Sequence, residues 1–291
     1  MKEKPILAMM YDFDRTLSPR DMEEYAFIPG LGMSAKEFWS ICNQTAIRHE
    51  MDGILAYMLE MLRLSEGKQL VTRRTLNEVG RHVELFPGVD TWFSRVNAYA
   101  ASKGLTAEHY SISSGIKEII EGTSIAGEFK KIYAASFCYN EKGVPFWPAT
   151  AVNYTAKTQF IYRINKGVLD VSDDRALNSS MPDDSKRIPF RNMLYIGDGL
   201  SDVPCMKMTR AYGGQAIAVY QDSNRAAVEE LLCRDRVNFI FPADYRAGTP
   251  LDETVRDILR HMAISDRLAE THTCQVRKIG TGEMAEQERW F

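Results

Sequence analysis

Cross-linking chemistry is missing from this 291-residue sequence. The five cysteines, Cys42, Cys138, Cys205, Cys233 and Cys274, are odd in number and form no C-x-x-C pair. That argues against a disulfide framework and against a zinc site of the usual spacing. The five histidines, His49, His82, His109, His261 and His272, show no ligand spacing either. No long apolar run occurs near the N-terminus. Ile6 to Tyr11 stops at Asp12, too short for a signal-peptide core or a spanning helix. A reducing cytoplasm is the default expectation. Charge of neither sign dominates: 36 basic and 39 acidic residues leave a net charge of -3. Nucleic acid and membrane surfaces are therefore not expected as partners. A small phosphorylated metabolite stays open, because local charge decides its binding. Internal repeats are absent as well, and oligomeric state is left open.

What is present is ordinary for a globular chain, with 45% hydrophobic and 26% charged residues. The length suits one large domain, or a core with a smaller second one. Three apolar runs end in polar residues: Ile6 to Tyr11, Ala107 to Ile112, and Met193 to Ile196. Each reads as a buried parallel strand of an open α/β sheet, with a site along its carboxyl edge. Further strands are expected at Gln215 to Tyr220 and Asn238 to Phe241. Lys131 to Cys138 and Phe146 to Tyr154, joined by Asn140-Glu141-Lys142-Gly143, predict a hairpin.

The stretch between Arg20 and Phe86 differs. Ser34 to Glu37 and Thr75 to Glu78 both match the capping-box pattern, and Asp52 to Leu64 is helical in period. This segment reads as a helical insertion, in which Phe27, Phe38 and Trp39 are expected to be core. Val89 to Ser102 predicts an amphipathic helix stopped by Gly104. Helices are also expected from Lys157 to Ile164 and from Glu253 to Ala263. Asp170 to Lys186 reads as a polar surface loop, and the tail after Thr271 as loosely ordered.

Asp12 and Asp14 lie two apart at a strand end and, if the chain stays extended, project from one side. Adjacent carboxylates repel and call for a cation or a shared proton. Magnesium would supply the cation, Asp12 could act as nucleophile, and Asp14 as acid and base. Taken alone, the pair equally suits a solvated, helix-capping turn. Gly197-Asp198-Gly199-Leu200-Ser201-Asp202 follows another buried strand, and Asp198 and Asp202 could complete an oxygen site with Asp12 and the Asp14 carbonyl. Ser113-Ser114-Gly115 could hold an anion at a helix start, or be a plain helix cap. Lys157, at the start of a helix after the hairpin, could neutralise Asp12 and phosphate, or be one more solvated surface lysine.

Together these residues resemble the four ordered motifs of the haloacid dehalogenase superfamily, over Ile6 to about Tyr220. The resemblance implies a Rossmann-like core of mainly parallel sheet, residues 1–20 and 87–291, with a helical cap over 21–86. It points to the phosphoserine phosphatase-like branch and to a magnesium-dependent phosphatase acting through an aspartyl-phosphate. It casts Asp12, Asp14 and Lys157 as catalytic, and Asp12, Asp14, Asp198 and Asp202 as metal-holding. Thr16, Ser113, Ser114, Gly115 and Lys157 become phosphate-binding. That branch has a cap-side Glu nine residues after the nucleophile, which recognises the substrate amine. This chain has Asp21 there, with Glu23 and Glu24 nearby, so Asp21 and Glu24 are the specificity candidates. Arg48 and Arg63 are the candidates for pairing a substrate carboxylate. A phosphomutase, or a non-catalytic member binding a phosphorylated ligand, shares most of these features.

Overall fold

The computed structural model describes residues 4–182 and 185–280. Seven strands form one sheet in the order β4-β3-β2-β1-β5-β6-β7. They are β1 (Ile6–Tyr11), β2 (Thr106–Ile116), β3 (Phe129–Tyr139), β4 (Pro145–Thr150), β5 (Met193–Gly197), β6 (Gln215–Tyr220) and β7 (Phe239–Pro242). All neighbours are parallel except β3 and β4, the predicted hairpin. The chain winds outward from β1 in both directions, so the crevice where strand order reverses lies at the carboxyl ends of β1 and β5.

Alternation along β1 divides the core. Leu7, Met9 and Tyr11 join one buried cluster, and Ala8 and Met10 the other. Both faces are covered, which is why the strand reads as one apolar run. The first cluster packs against α5 (Val89–Ser102) and α11 (Pro250–Gly280), and the second against α7 (Lys157–Lys166), α9 (Val203–Ala211) and α10 (Arg225–Cys233).

Between β1 and α5 stand α1 (Phe27–Gly30), α2 (Ala35–His49), α3 (Gly53–Ser65) and α4 (Arg73–Gly80). Ser34 and Glu37 cap α2 reciprocally, as predicted. Asp52 caps α3 by accepting from Ile54 and Leu55 N–H. The α4 cap is not Thr75 but Thr72, with Thr75 answering it from the third helical position. The chain leaves and returns at one point, where Phe86 N–H donates to Leu17 O at 2.9 Å.

Two other expectations are corrected. The last helix runs from Pro250 to Gly280, so residues 271–280 are helical rather than loose; residues 281–291 lie outside the described chain. The loop from Asp170 contains α8 (Asp174–Asn178) and is pinned by the buried Arg163, which donates to Asp170 O, Val171 O and the Asp174 carboxylate. Asp183 and Asp184 lie outside the described residues. Short α6 (Lys117–Glu121) follows β2. All five cysteines are free, and no described helix is long and apolar enough to cross a membrane.

Tyr11, just before Asp12, is fixed by a directed chain of donors. Trp92 Nε1–H donates to the Tyr11 oxygen, Tyr11 O–H to His109 Nδ1, and His109 Nε2–H to Asn97 Oδ1, each at 3.0 Å. His109 is thereby the neutral Nε2–H tautomer. Burial pushes its pKa down to about 3. Below about pH 6.5 the unfolded chain protonates this histidine while the folded one does not. Stability is complete above that pH and falls as pH drops toward 3, by up to about 1.4 kcal/mol per unit. Urea unfolding of wild type and His109→Gln from pH 7.5 to 4 should show the gap between them narrowing as pH falls. Parallel slopes would reject this account.

Candidate active site

Parallel register brings the acids together. Tyr11 sits level with Ser111 of β2 and Ile196 of β5. Asp12 still donates its N–H to Ile196 O at 2.9 Å, so its side chain emerges beside the turn that carries Asp198. Arg15 then takes a left-handed φ of 57° and turns the chain away from the sheet. Its guanidinium makes two bonds to the Asp21 carboxylate, at 3.0 and 2.9 Å.

Lys157 opens α7 and is fully buried. Its ammonium donates to Asp12 Oδ1 at 2.9 Å and to Asp202 Oδ1 at 2.8 Å. Asp202 also accepts from the Tyr195 hydroxyl at 2.7 Å on Oδ1, and from Asp198 N–H at 3.2 Å on Oδ2. Only glycine suits position 197, where a Cβ would lie 2.5 Å from Asp202 Oδ2. Carboxylate oxygens of Asp12, Asp198 and Asp202 come within 4.8 Å of one another.

The Asp14 side chain turns elsewhere and accepts from Met22 N–H at 2.8 Å. Opposite it, a Cβ on Gly115 would lie 2.2 Å from Met22 Cε and 2.8 Å from Asp14 Oδ2, so a larger residue there would displace both side chains.

Burial dominates the electrostatics. Together with the Asp202 charge it pushes Asp12 up to about 7, although Lys157 pulls the other way. Asp198 rises to about 8 for the same reasons, burial first and then Asp202 and Asp12. Burial, then the charges of Glu23, Asp21 and Asp12, hold Asp14 well above the carboxylate range. Burial also opposes charge on Lys157, but the two carboxylates outweigh it and hold the pKa above the ordinary lysine value.

These groups open on a cavity of about 460 Å³. Its sheet side carries Asp12, Asp14, Ser114, Gly115, Lys157 and Asp198, and its helical side Glu23, Trp39, Cys42, Asn43, Ile54 and Tyr57. Asp21 lies on the wall, whereas Thr16, Ser113, Glu24, Asp202, Arg48 and Arg63 do not. Ser113 is buried and its Oγ accepts from Gly115 N–H at 3.0 Å. The Ser-Ser-Gly segment belongs to the end of β2, not to a helix start, because α6 begins only at Lys117. Trp39, expected as core, is on the wall, with its indole N–H given to Glu24 at 3.2 Å. Tyr57, whose hydroxyl donates to Ser114 O at 2.6 Å, and Tyr195 were not anticipated. Both sit in apolar-periodic runs, where nothing local marks a polar tip aimed at a distant partner.

No protein-family model matches the chain. An uncharacterized protein of Borreliella burgdorferi is 27% identical over 275 residues, covering 84% of this chain and 94% of the relative. Among solved structures, an apo phosphoserine phosphatase aligns with a TM-score of 0.54 at 13% identity, over 84% of this chain and 96% of that one. A HAD-family hydrolase from Salmonella enterica serovar Typhi gives 0.52 at 18% identity, over 77% and 66%. Cytosolic 5'-nucleotidase IIIB, bound to cytidine, gives 0.52 at 12% identity, over 90% and 87%. The chain therefore has the α/β fold of HAD-family hydrolases and phosphoserine phosphatases.

Proposed function

We propose that this chain is a magnesium-dependent phosphomonoesterase acting on a small phosphorylated metabolite, with Asp12 as nucleophile. The Lys157 ammonium, buried between Asp12 and Asp202 at the β1/β5 crevice, carries the proposal. A lone buried carboxylate would protonate; this one has a cation on one oxygen and an open cavity beside it.

The donor set fits magnesium. Hard carboxylate oxygens converge, and their pKa values are raised by burial first and then by mutual repulsion, both of which a divalent cation would offset. Asp12, Asp198 and the Asp14 backbone carbonyl would hold the ion, with Asp202 steadying Lys157 and the Asp198 turn from behind. When bound, the ion would neutralise charge on the phosphoryl oxygens.

The chain's own residues then divide the work. Lys157 fixes Asp12 Oδ1, which leaves the other oxygen to attack phosphorus and form an aspartyl-phosphate. Asp14, whose pKa is raised by burial and then by the charges of Glu23, Asp21 and Asp12, would give a proton to the leaving alcohol. It later takes a proton from the water that releases phosphate. Lys157 and the Ser113–Gly115 backbone would hold phosphate oxygens. Residues 21–86 would act as a lid over a core of 1–20 and 87–291. Five free cysteines accord with a reducing cytoplasm.

The test is phosphate release from a panel of monoesters, before and after chelation. Activity should fall at least about 100-fold on metal removal and return with magnesium. Unchanged turnover in chelator would end the metal assignment. Phosphate reappearing on a second hydroxyl would mean a mutase instead.

A further inference from the structure

Among the described residues, Ser113, Ser114 and Gly115 have no strand partner, although they lie within β2. β1 runs level with β2 as far as Ser111. The β3 register jumps from Ile112 opposite Tyr133 to Ile116 opposite Ala135. Three residues of β2 thus face Ala134 alone, a bulge that frees the segment from the ladder. Its orientation therefore rests on other contacts. Ser114 and Gly115 are on the cavity wall, and Gly115 is hemmed in by Met22 and Asp14.

One such contact crosses from the helical segment. Tyr57, on α3 and 5% exposed, donates its hydroxyl to Ser114 O at 2.6 Å. Burial first, then the charges of Glu23 and Asp14, hold its pKa well above the ordinary tyrosine value, so the hydroxyl stays a donor. The Ser114 carbonyl and the Gly115 N–H belong to one peptide plane and point opposite ways. Gly115 N–H donates to Ser113 Oγ at 3.0 Å. One phenolic hydrogen bond therefore fixes the roll of that peptide, and with it the amide that occupies a lone pair of Ser113 Oγ. Released, the Ser114 carbonyl would be free to turn its partial negative charge toward the cavity, where a phosphate would meet it.

α3 also meets the core beside α7. Asp52, its N-cap, accepts from Asn153 Nδ2 at 2.9 Å. Asn153 O in turn accepts from the backbone N–H of Lys157 at 3.0 Å. These attachments of α3 lead to the two groups that the phosphatase reading sets on phosphate, the Ser113–Gly115 segment and Lys157.

We infer that Tyr57 is a positioning residue: by holding Ser114 O it sets the Ser113–Gly115 segment to receive phosphate, so that seating α3 and binding phosphate strengthen each other. This rests on the phosphatase reading above. Tyr57 acts through a peptide and not on the reacting atoms. By reciprocity, phosphate in the cavity holds α3 as firmly as α3 prepares the site.

Tyr57→Phe deletes one oxygen and keeps the ring that packs edge to face on Trp39. With p-nitrophenyl phosphate and magnesium, kcat/KM should fall roughly 10- to 100-fold, the range for a buried acceptor left without its donor. The inhibition constant for inorganic phosphate should rise by a similar factor. The magnesium concentration for half-activation should stay put, because the Asp12 and Asp198 carboxylates keep their partners. Amide hydrogen exchange gives a reading independent of turnover. Inorganic phosphate with magnesium should slow exchange in residues 53–65 of wild type, and should no longer do so in Tyr57→Phe. Phosphate inhibition that is unchanged in the variant, or lost in step with magnesium activation, overturns the inference and leaves the phosphatase standing. So does wild-type exchange over 53–65 that ignores phosphate, a result that decides the matter even where the variant fails to fold. Wild type that releases phosphate from no ester overturns the phosphatase reading and this inference with it.

Discussion

Asp12→Asn should release phosphate at least about 10³-fold more slowly than wild type while staying folded. The amide keeps the shape of the carboxyl but cannot form the acyl phosphate at a useful rate. Lys157 loses one anionic partner and retains Asp202, so its charge is still answered. Removing Asp12 also relieves the repulsion among Asp12, Asp198 and Asp202. The melting temperature should therefore stay within a few degrees, a shift of about 1 kcal/mol or less. Acid-quenching an incubation with ³²P-labelled substrate should trap label on wild type and none on Asp12→Asn. Robust turnover by the variant would remove Asp12 from the nucleophile's role.

Lys157→Met should be the most damaging single change to both stability and activity. The side chain is fully buried and holds two carboxylates. Breaking a buried ion pair by deleting one member costs about 3–5 kcal/mol, a large part of a typical folding free energy of about 5–15. The cost should depend on pH with a definite sign. Without the ammonium, Asp12 rises further from its value of about 7, so the folded variant takes up protons that the unfolded chain does not. A folded pKa above the unfolded one contributes stability at low pH that is lost as pH rises through the folded value. The deficit against wild type, measured by urea unfolding in chelator, should therefore be greatest above about pH 7 and shrink toward pH 5. A deficit independent of pH would show that packing, not charge, is what Lys157 provides. Activity should fall by at least about 10³-fold, since phosphate would then approach an uncompensated carboxylate pair.

Sequence reasoning reached some elements and missed others for identifiable reasons. The strand ends were legible because a doubly covered strand must be apolar along its length, and the first acid marks where it leaves the core. The α4 start was misplaced because Thr72 and Thr75 lie one turn apart and both offer a hydroxyl; the pattern Thr75 to Glu78 matched, but the backbone amides bonded one turn earlier. The last helix was cut short because beyond Ala263 it has few buried apolar residues to give a period, and it continues as an exposed helix. Asp21 and Glu24 were reasonable candidates by spacing from Asp12. Asp21, paired with Arg15, does line the cavity, as does Glu23, whereas Glu24 is off the wall and accepts from Trp39.

By itself the sequence determined which strands are central and which acids stand at their carboxyl ends, since both follow from local pattern: burial on two faces, then an abrupt change to groups that water or a cation must satisfy. It also determined that a helical segment interrupts the sheet after the first strand. Tertiary structure decided the rest. Lys157 meets Asp12 across 145 positions, Tyr195 turns its hydroxyl to Asp202, and Glu23 joins Asp21 on the cavity wall while Glu24 does not. Those outcomes depend on side-chain direction and on the register of distant elements, which the packing of the two cores sets and no short window of sequence contains.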